Sequence, residues 1–133
     1  MNEIKSMEEN DLTYKIRGCI FNVYNNLGPG LFESVYEAAL LYELNKAGLK
    51  AKNQVELAVH YDDILLDVAF RIDILVEDCV LIELKSVEDL SKVHYKQVVT
   101  YLKLSDIPIG ILVNFNTDNI NLNTKRIVNN FFE

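Results

Sequence analysis

Two adjacent segments within LDVAFRIDILVEDCVLIELKS, residues 66–86, constrain this chain more than anything else in it. In the first, the even positions Leu66, Val68, Phe70, Ile72, Ile74 and Val76 are all apolar, and the odd ones are Asp67, Ala69, Arg71, Asp73 and Leu75. In the second, Val80, Ile82 and Leu84 alternate with Leu81, Glu83 and Lys85. A period of two predicts strands, and the short acidic break between them predicts a hairpin. Residues opposite one another in an antiparallel pair point to the same face. Burying both apolar sets together therefore requires even to pair with even. That demands an odd loop, Glu77-Asp78-Cys79, with Val76 opposite Val80. Asp73 then falls opposite Glu83, and Arg71 opposite Lys85. A two-residue turn at Glu77-Asp78 would put Asp73 and Glu83 on opposite faces.

The rest of the chain reads as scaffold around this hairpin. Residues 1–10 are polar and acidic and read as a flexible, solvated arm, with Asn10 or Asp11 capping a first helix to about Asn26. Ile16, Ile20, Val23 and Leu27 give that helix its apolar stripe. Gly28-Pro29-Gly30 ends it. A second helix spans about Leu31 to Ala47, with Gly48 just past its end. Glu33 shares a stripe there with Tyr36, Leu40, Leu44 and Ala47. A carboxylate on a core stripe is costly unless satisfied. Either Glu33 binds backbone N–H groups at its own helix start, or it points into a polar site under the helix. Residues 53–60 alternate as a strand, turn at Tyr61-Asp62-Asp63, and lead into the hairpin.

Residues 90–105 predict a third helix with Ser91 or Asp89 near its N-cap. Lys92, Lys96 and Lys103 share one narrow stripe on it. Gln97 falls inside the apolar arc near Val93, Tyr101 and Leu104. It is either a buried amide bonded to backbone or a polar group reaching Asp73 and Glu83. His94 beside this arc reads as structural. Residues 108–115 form a buried apolar run after a helix, which suits a strand added in parallel through a helical crossover. The tail from Ile120 to Phe132 reads as an edge strand followed by a docking segment. The expected fold class is α/β (an α+β mixed sheet) with the order α-α-β-β-β-α-β, in one domain over residues 1–133.

A chain of 133 residues can bury roughly two thirds of its unfolded surface, enough for an ordinary core. The two cysteines, Cys19 and Cys79, form no CxxC pattern, which argues against structural zinc and for thiols in a reducing compartment. The N-terminus has no apolar signal-peptide core, and no apolar run approaches the ~18 residues a membrane span needs. A cytoplasmic protein is expected. A net charge of −7 argues against broad non-specific nucleic-acid binding. It does not exclude a nuclease, because carboxylates that hold a divalent cation are neutralised by it.

Asp73, nine residues, then Glu83-Leu84-Lys85 form the pattern D-x(n)-E-x-K. Asp and Glu supply hard oxygen ligands for Mg²⁺ or Mn²⁺, and the Leu84 carbonyl adds another. Such an ion polarises a phosphoryl oxygen and acidifies bound water. Lys85 emerges on the same face as Glu83 and can stabilise charge developing on phosphate. An E-x-K triplet alone is common on strand surfaces; here it ends an apolar strand in register with an aspartate.

Gly30-Leu-Phe-Glu33-Ser-Val-Tyr36, with LIELKSVEDL and VHYKQVVTYLKL before IGILVNF, resembles the GxxExxY proteins of the PD-(D/E)XK nuclease superfamily. The resemblance runs from about Thr13 to Val128. It implies a restriction-endonuclease-like core. It further implies Asp73 and Glu83 as metal ligands, Lys85 as the catalytic lysine, Glu33 as a helix carboxylate near the metal, and Gln97 as the polar residue of the following helix. Tyr24 departs from the family, where a histidine is expected. The implied function is Mg²⁺-dependent hydrolysis of DNA, RNA being the lesser substrate. The alternative is a catalytically inactive nuclease-fold module that binds nucleic acid or protein. In either case the Lys92, Lys96 and Lys103 stripe is a candidate phosphate-contact face, against a solvated helix surface. A homodimer is a further reading, because superfamily enzymes often need two sites to cut both strands.

Overall fold

A computed structural model describes residues 2–129, with side chains described from Glu9 onward. The order is α1 (Asn2–Leu27), α2 (Glu33–Lys46), β1 (Ala51–Tyr61), β2 (Ile64–Val76), β3 (Val80–Lys85), α3 (Lys92–Ser105), β4 (Ile109–Asn114) and β5 (Thr124–Val128). The strands form one five-stranded sheet in sequence order. Neighbours are antiparallel except β3 and β4, which run parallel and are joined by α3. This is the expected mixed sheet with its helical crossover, extended by β5, which pairs antiparallel with β4 at the far edge. The docking segment expected after it lies outside the described residues.

The first two helices start elsewhere than expected. α1 is helical from Asn2, so residues 2–10 are not an arm, and Asn10 and Asp11 lie inside the helix rather than capping it. No glycine or proline interrupts that stretch, and its Glu, Lys and Met are good helix formers. α2 starts at Glu33, not Leu31, with Phe32 at its N-cap. Its other end behaves as expected: Gly48 N–H donates to Asn45 O and Leu49 N–H to Leu44 O, the paired bonds that close a helix with glycine past its cap.

The helices sandwich the sheet. α1 and α2 bury Ile16, Ile20, Val23, Tyr36, Leu40 and Leu44 against Ile82, Leu84, Ile111 and Val113. α3 buries Val98 and Leu102 against Leu75, Leu81 and Leu112 on the opposite face. α3 lies close to β4 because Gly110 has no side chain there. A Cβ at Gly110 would stand 2.7 Å from Val98 Cγ1.

The β2–β3 register is the expected one: Val76 pairs with Val80, Leu75 with Leu81 and Ile74 with Ile82. The uniform even face of β2 is not. Ile74 and Val76 pack under α1 and α2, whereas Ile72 and Phe70 pack with the α3 cluster. β1 switches faces at the same level, Ala51 packing with the first cluster and Val55 and Leu57 with the second. The switch lies at Gln54 and Asp73. Gln54 has a left-handed backbone, φ 51°, which costs a non-glycine residue ~1–2 kcal/mol. Glu37 of α2 secures it, accepting bonds from Gln54 Nε2 (2.6 Å) and Asn53 Nδ2 (3.2 Å). Beyond Leu57 and Phe70 the ends of β1 and β2 leave the α3 cluster, and Ile64, Leu65, Leu66 and Val68 are exposed.

Candidate active site

The face switch opens the sheet between β2 and β3. Their last paired residues are Ile74 and Ile82, and two carboxylates complete the bonding beyond them. Asp73 N–H donates to Glu83 Oε2, and Leu84 N–H donates to Asp73 Oδ2, both at 2.9 Å. Each acidic side chain thus takes a backbone donor of the opposite strand. The N–H and C=O of one strand residue project to the same side. Lys85 C=O accepts from Phe115 N–H on the β4 side, so the Leu84 N–H and C=O face β2. The Leu84 carbonyl therefore borders the same opening as the two carboxylates.

Glu83 is buried, only 4% exposed. Burial first, and the neighbouring Asp73 carboxylate second, push its carboxyl up to about 8. Asp73 is half-buried, and burial raises it too, with Glu37 and Glu33 adding repulsion and the Leu84 N–H and Lys85 opposing. Buried like charges favour protons or a cation between them. Two hard carboxylate oxygens beside a backbone carbonyl fit a divalent ion such as Mg²⁺ or Mn²⁺. Among the described residues, no three His, Cys, Asp or Glu side chains form a closed cage for one. Any ion here would keep water or substrate oxygens for its remaining positions, as Mg²⁺ commonly does.

Lys85 lies on the α3 side of the sheet, and its Nζ donates to Gln97 Oε1 at 3.2 Å. Gln97 Nε2 donates to Tyr101 Oη at 3.0 Å. The Tyr101 ring stacks on Phe70, with centroids 4.5 Å apart. Gln97 therefore bonds side chains at the site rather than backbone.

Glu33 is exposed and leaves the core stripe that Tyr36, Leu40 and Leu44 keep. α2 begins at Glu33 itself, and its start meets Ser86, just past the end of β3. Glu33 Oε2 accepts Ser86 N–H at 3.4 Å, not a donor of its own helix. Arg71 does not meet Lys85. With the strands parted, it pairs with Glu56 across β1 at 3.0 Å. Lys92, Lys96 and Lys103 are exposed on α3, outside the carboxylate cluster. His94 Nδ1 accepts Ser91 N–H at 3.0 Å, a helix-start contact. Tyr24 donates its hydroxyl to Thr117 O. Cys19 is buried, Cys79 half-buried, and they form no disulfide. No helix among the described residues is long and apolar enough to cross a membrane.

Two further residues support this arrangement without standing out in the sequence. Tyr101 fixes Gln97, and its i+4 spacing from Gln97 on a helix was the available signal. Glu37 holds the Gln54 kink opposite Asp73; its position one turn after Glu33 was the signal there.

The crystal structure of SSO0001 is similar to this chain, with a TM-score of 0.56 and 24% identity over 73% of this chain. This chain spans 50% of that one, and a likeness at this identity concerns the fold. Among curated proteins, none matches. A family model described as the PD-(D/E)XK nuclease superfamily matches residues 10–127. Enzymes of that superfamily typically use divalent metal ions. The match covers both carboxylates, Lys85, Gln97 and every strand of the sheet but the last residue of β5. With the mixed sheet in agreement with it, the chain belongs to the PD-(D/E)XK nuclease superfamily.

Proposed function

We propose that this chain is a divalent-metal-dependent nuclease that hydrolyses phosphodiester bonds of DNA, with RNA the lesser substrate. The observation that carries the reading is the parted end of β2 and β3. There the Asp73 and Glu83 carboxylates and the Leu84 carbonyl face one opening beside Lys85. Asp73, Glu83 and the Leu84 carbonyl would hold Mg²⁺ or Mn²⁺. When bound, such an ion supplies Lewis acidity to a phosphoryl oxygen and lowers the pKa of water. Lys85 places a positive charge where negative charge develops on the phosphate. Gln97, anchored by Tyr101, holds the ammonium in place. Glu33, on the first turn of α2 beside Ser86, orients water near the ion. The Lys92, Lys96 and Lys103 face would offset part of the repulsion between DNA and an acidic protein.

Purified protein should cut DNA with Mg²⁺ or Mn²⁺ and not with chelator, over a panel of single-stranded, duplex and branched substrates. Asp73→Asn and Lys85→Ala should each lower the rate at least ~10²-fold with unchanged circular dichroism. Cutting that survives both substitutions would refute the reading. Nucleic-acid binding without metal-dependent cutting would support the inactive-module reading instead.

A further inference from the structure

Phe32 occupies a position that local physics disfavours twice. It is the N-cap of α2, where Ser, Thr, Asp or Asn would accept a helix N–H and Phe accepts none; no side-chain cap bond forms. The residue is also 83% exposed, the highest value for a large hydrophobic among the described residues. A single exposed apolar side chain needs no explanation by itself. An aromatic on a rigid mount beside a candidate site does, since sequences break local rules mainly where function demands it.

The mount is rigid. Tyr36 Oη donates to Gly28 O at 2.6 Å and accepts Leu31 N–H at 3.1 Å. The Tyr36 ring is fully buried and stacks on Phe115 at 4.4 Å. Ser86 Oγ donates to Leu31 O at 2.6 Å, and Ser86 N–H donates to Glu33 Oε2 at 3.4 Å. Phe32 thus sits between two residues bonded to Ser86, which directly follows Lys85. Nothing in this arrangement covers the ring. Its neighbours fix it beside Ser86 and next to Glu33, and the Glu33 charge reaches Asp73 and Glu83.

We propose that Phe32 is a stacking platform for an unpaired nucleobase, so that the site receives single-stranded DNA or a frayed end. The proposal rests on the nuclease reading above. An aromatic face suits this occupant because every base has a π-face, and stacking is tolerant of sequence. Base pairs in an intact duplex do not expose those faces, so Phe32 distinguishes strand from duplex.

The chain contains no tryptophan, so Phe32→Trp places a single reporter at the platform. With Ca²⁺ present to suppress turnover, oligothymidylate should quench that emission, and an abasic strand of equal length should not. Phe32→Ser should weaken oligothymidylate binding about tenfold and leave duplex binding unchanged. The same substitution should raise the melting temperature by about 3 °C, because serine caps the helix. Unfolding therefore cannot explain a lost affinity. Unquenched emission at saturating strand, or equal strand affinity in Phe32→Ser, overturns the platform alone. Failure of the wild-type protein to bind either strand or duplex overturns the nuclease reading with it.

Discussion

Replacing Glu83 by glutamine should stabilise the metal-free protein at alkaline pH and leave it nearly unchanged in acid. Glu83 is buried and bonded to Asp73 N–H, and glutamine retains an oxygen that can accept that bond. The carboxyl titrates near 4.5 when unperturbed and at about 8 in the fold. Between those values the folded protein holds a proton that the unfolded chain has released, so stability falls as pH rises through this window. Above about pH 8 the penalty is complete. At 1.36 kcal/mol per pH unit its ceiling is about 5 kcal/mol; water entering the parted strands lowers this, and we expect about 2–5 kcal/mol. Below pH 4.5 both states are protonated and the difference vanishes. In urea with chelator, at a slope of about 1.5 kcal/mol per molar, the midpoint of Glu83→Gln should exceed wild type by 1 M or more at pH 9. At pH 4 the two midpoints should nearly coincide. Millimolar Mg²⁺ or Mn²⁺ should stabilise wild type, increasingly so at higher pH, by about 1.4 kcal/mol at ten times Kd. Glu83→Gln should lose most of that gain. An equal midpoint difference at both pH values, or a wild type that is more stable at pH 9, would refute the argument.

Tyr101→Phe keeps the stack on Phe70 and removes only the hydroxyl that receives Gln97. Stability should change by ~1 kcal/mol or less in chemical denaturation, while steady-state kinetics show a several-fold fall in kcat with KM little altered. Gly110→Ala would drive a methyl against Val98. It should cost about 1–3 kcal/mol, and displacement of α3 should lower activity as well, read from melting and cleavage of one preparation. If Gly110→Ala melts lower yet cuts normally, the α3-borne Gln97 and Tyr101 do not position Lys85.

Much of the site was legible because its logic is local. Alternation with a period of two, together with a loop of three residues, is enough to set Val76 against Val80 and bring Asp73 beside Glu83. Helical spacing likewise put Gln97 on the face that meets the sheet. The interruption at Asp73 was not legible, because Phe70 and Ile72 continue the same apolar pattern while packing on the other face. Apolar character records that a residue is buried, not which layer buries it. An unbroken ladder would set Arg71 against Lys85; the broken one leaves it to Glu56.

The sequence by itself determined the strand register, the crossover that makes β3 and β4 parallel, and the carboxylates and lysine that share one end of the hairpin. These follow from periodicity, loop length and residue type, which act between near neighbours in the chain. Only the tertiary structure decided that the hairpin changes faces, that Glu37 secures the change at Gln54, and that Glu33 stays exposed. It also decided that Tyr101 anchors Gln97 and that Phe32 stands exposed beside Ser86. Each of those depends on how α2 and α3 seat on opposite faces of the sheet, a balance of packing between segments far apart in sequence.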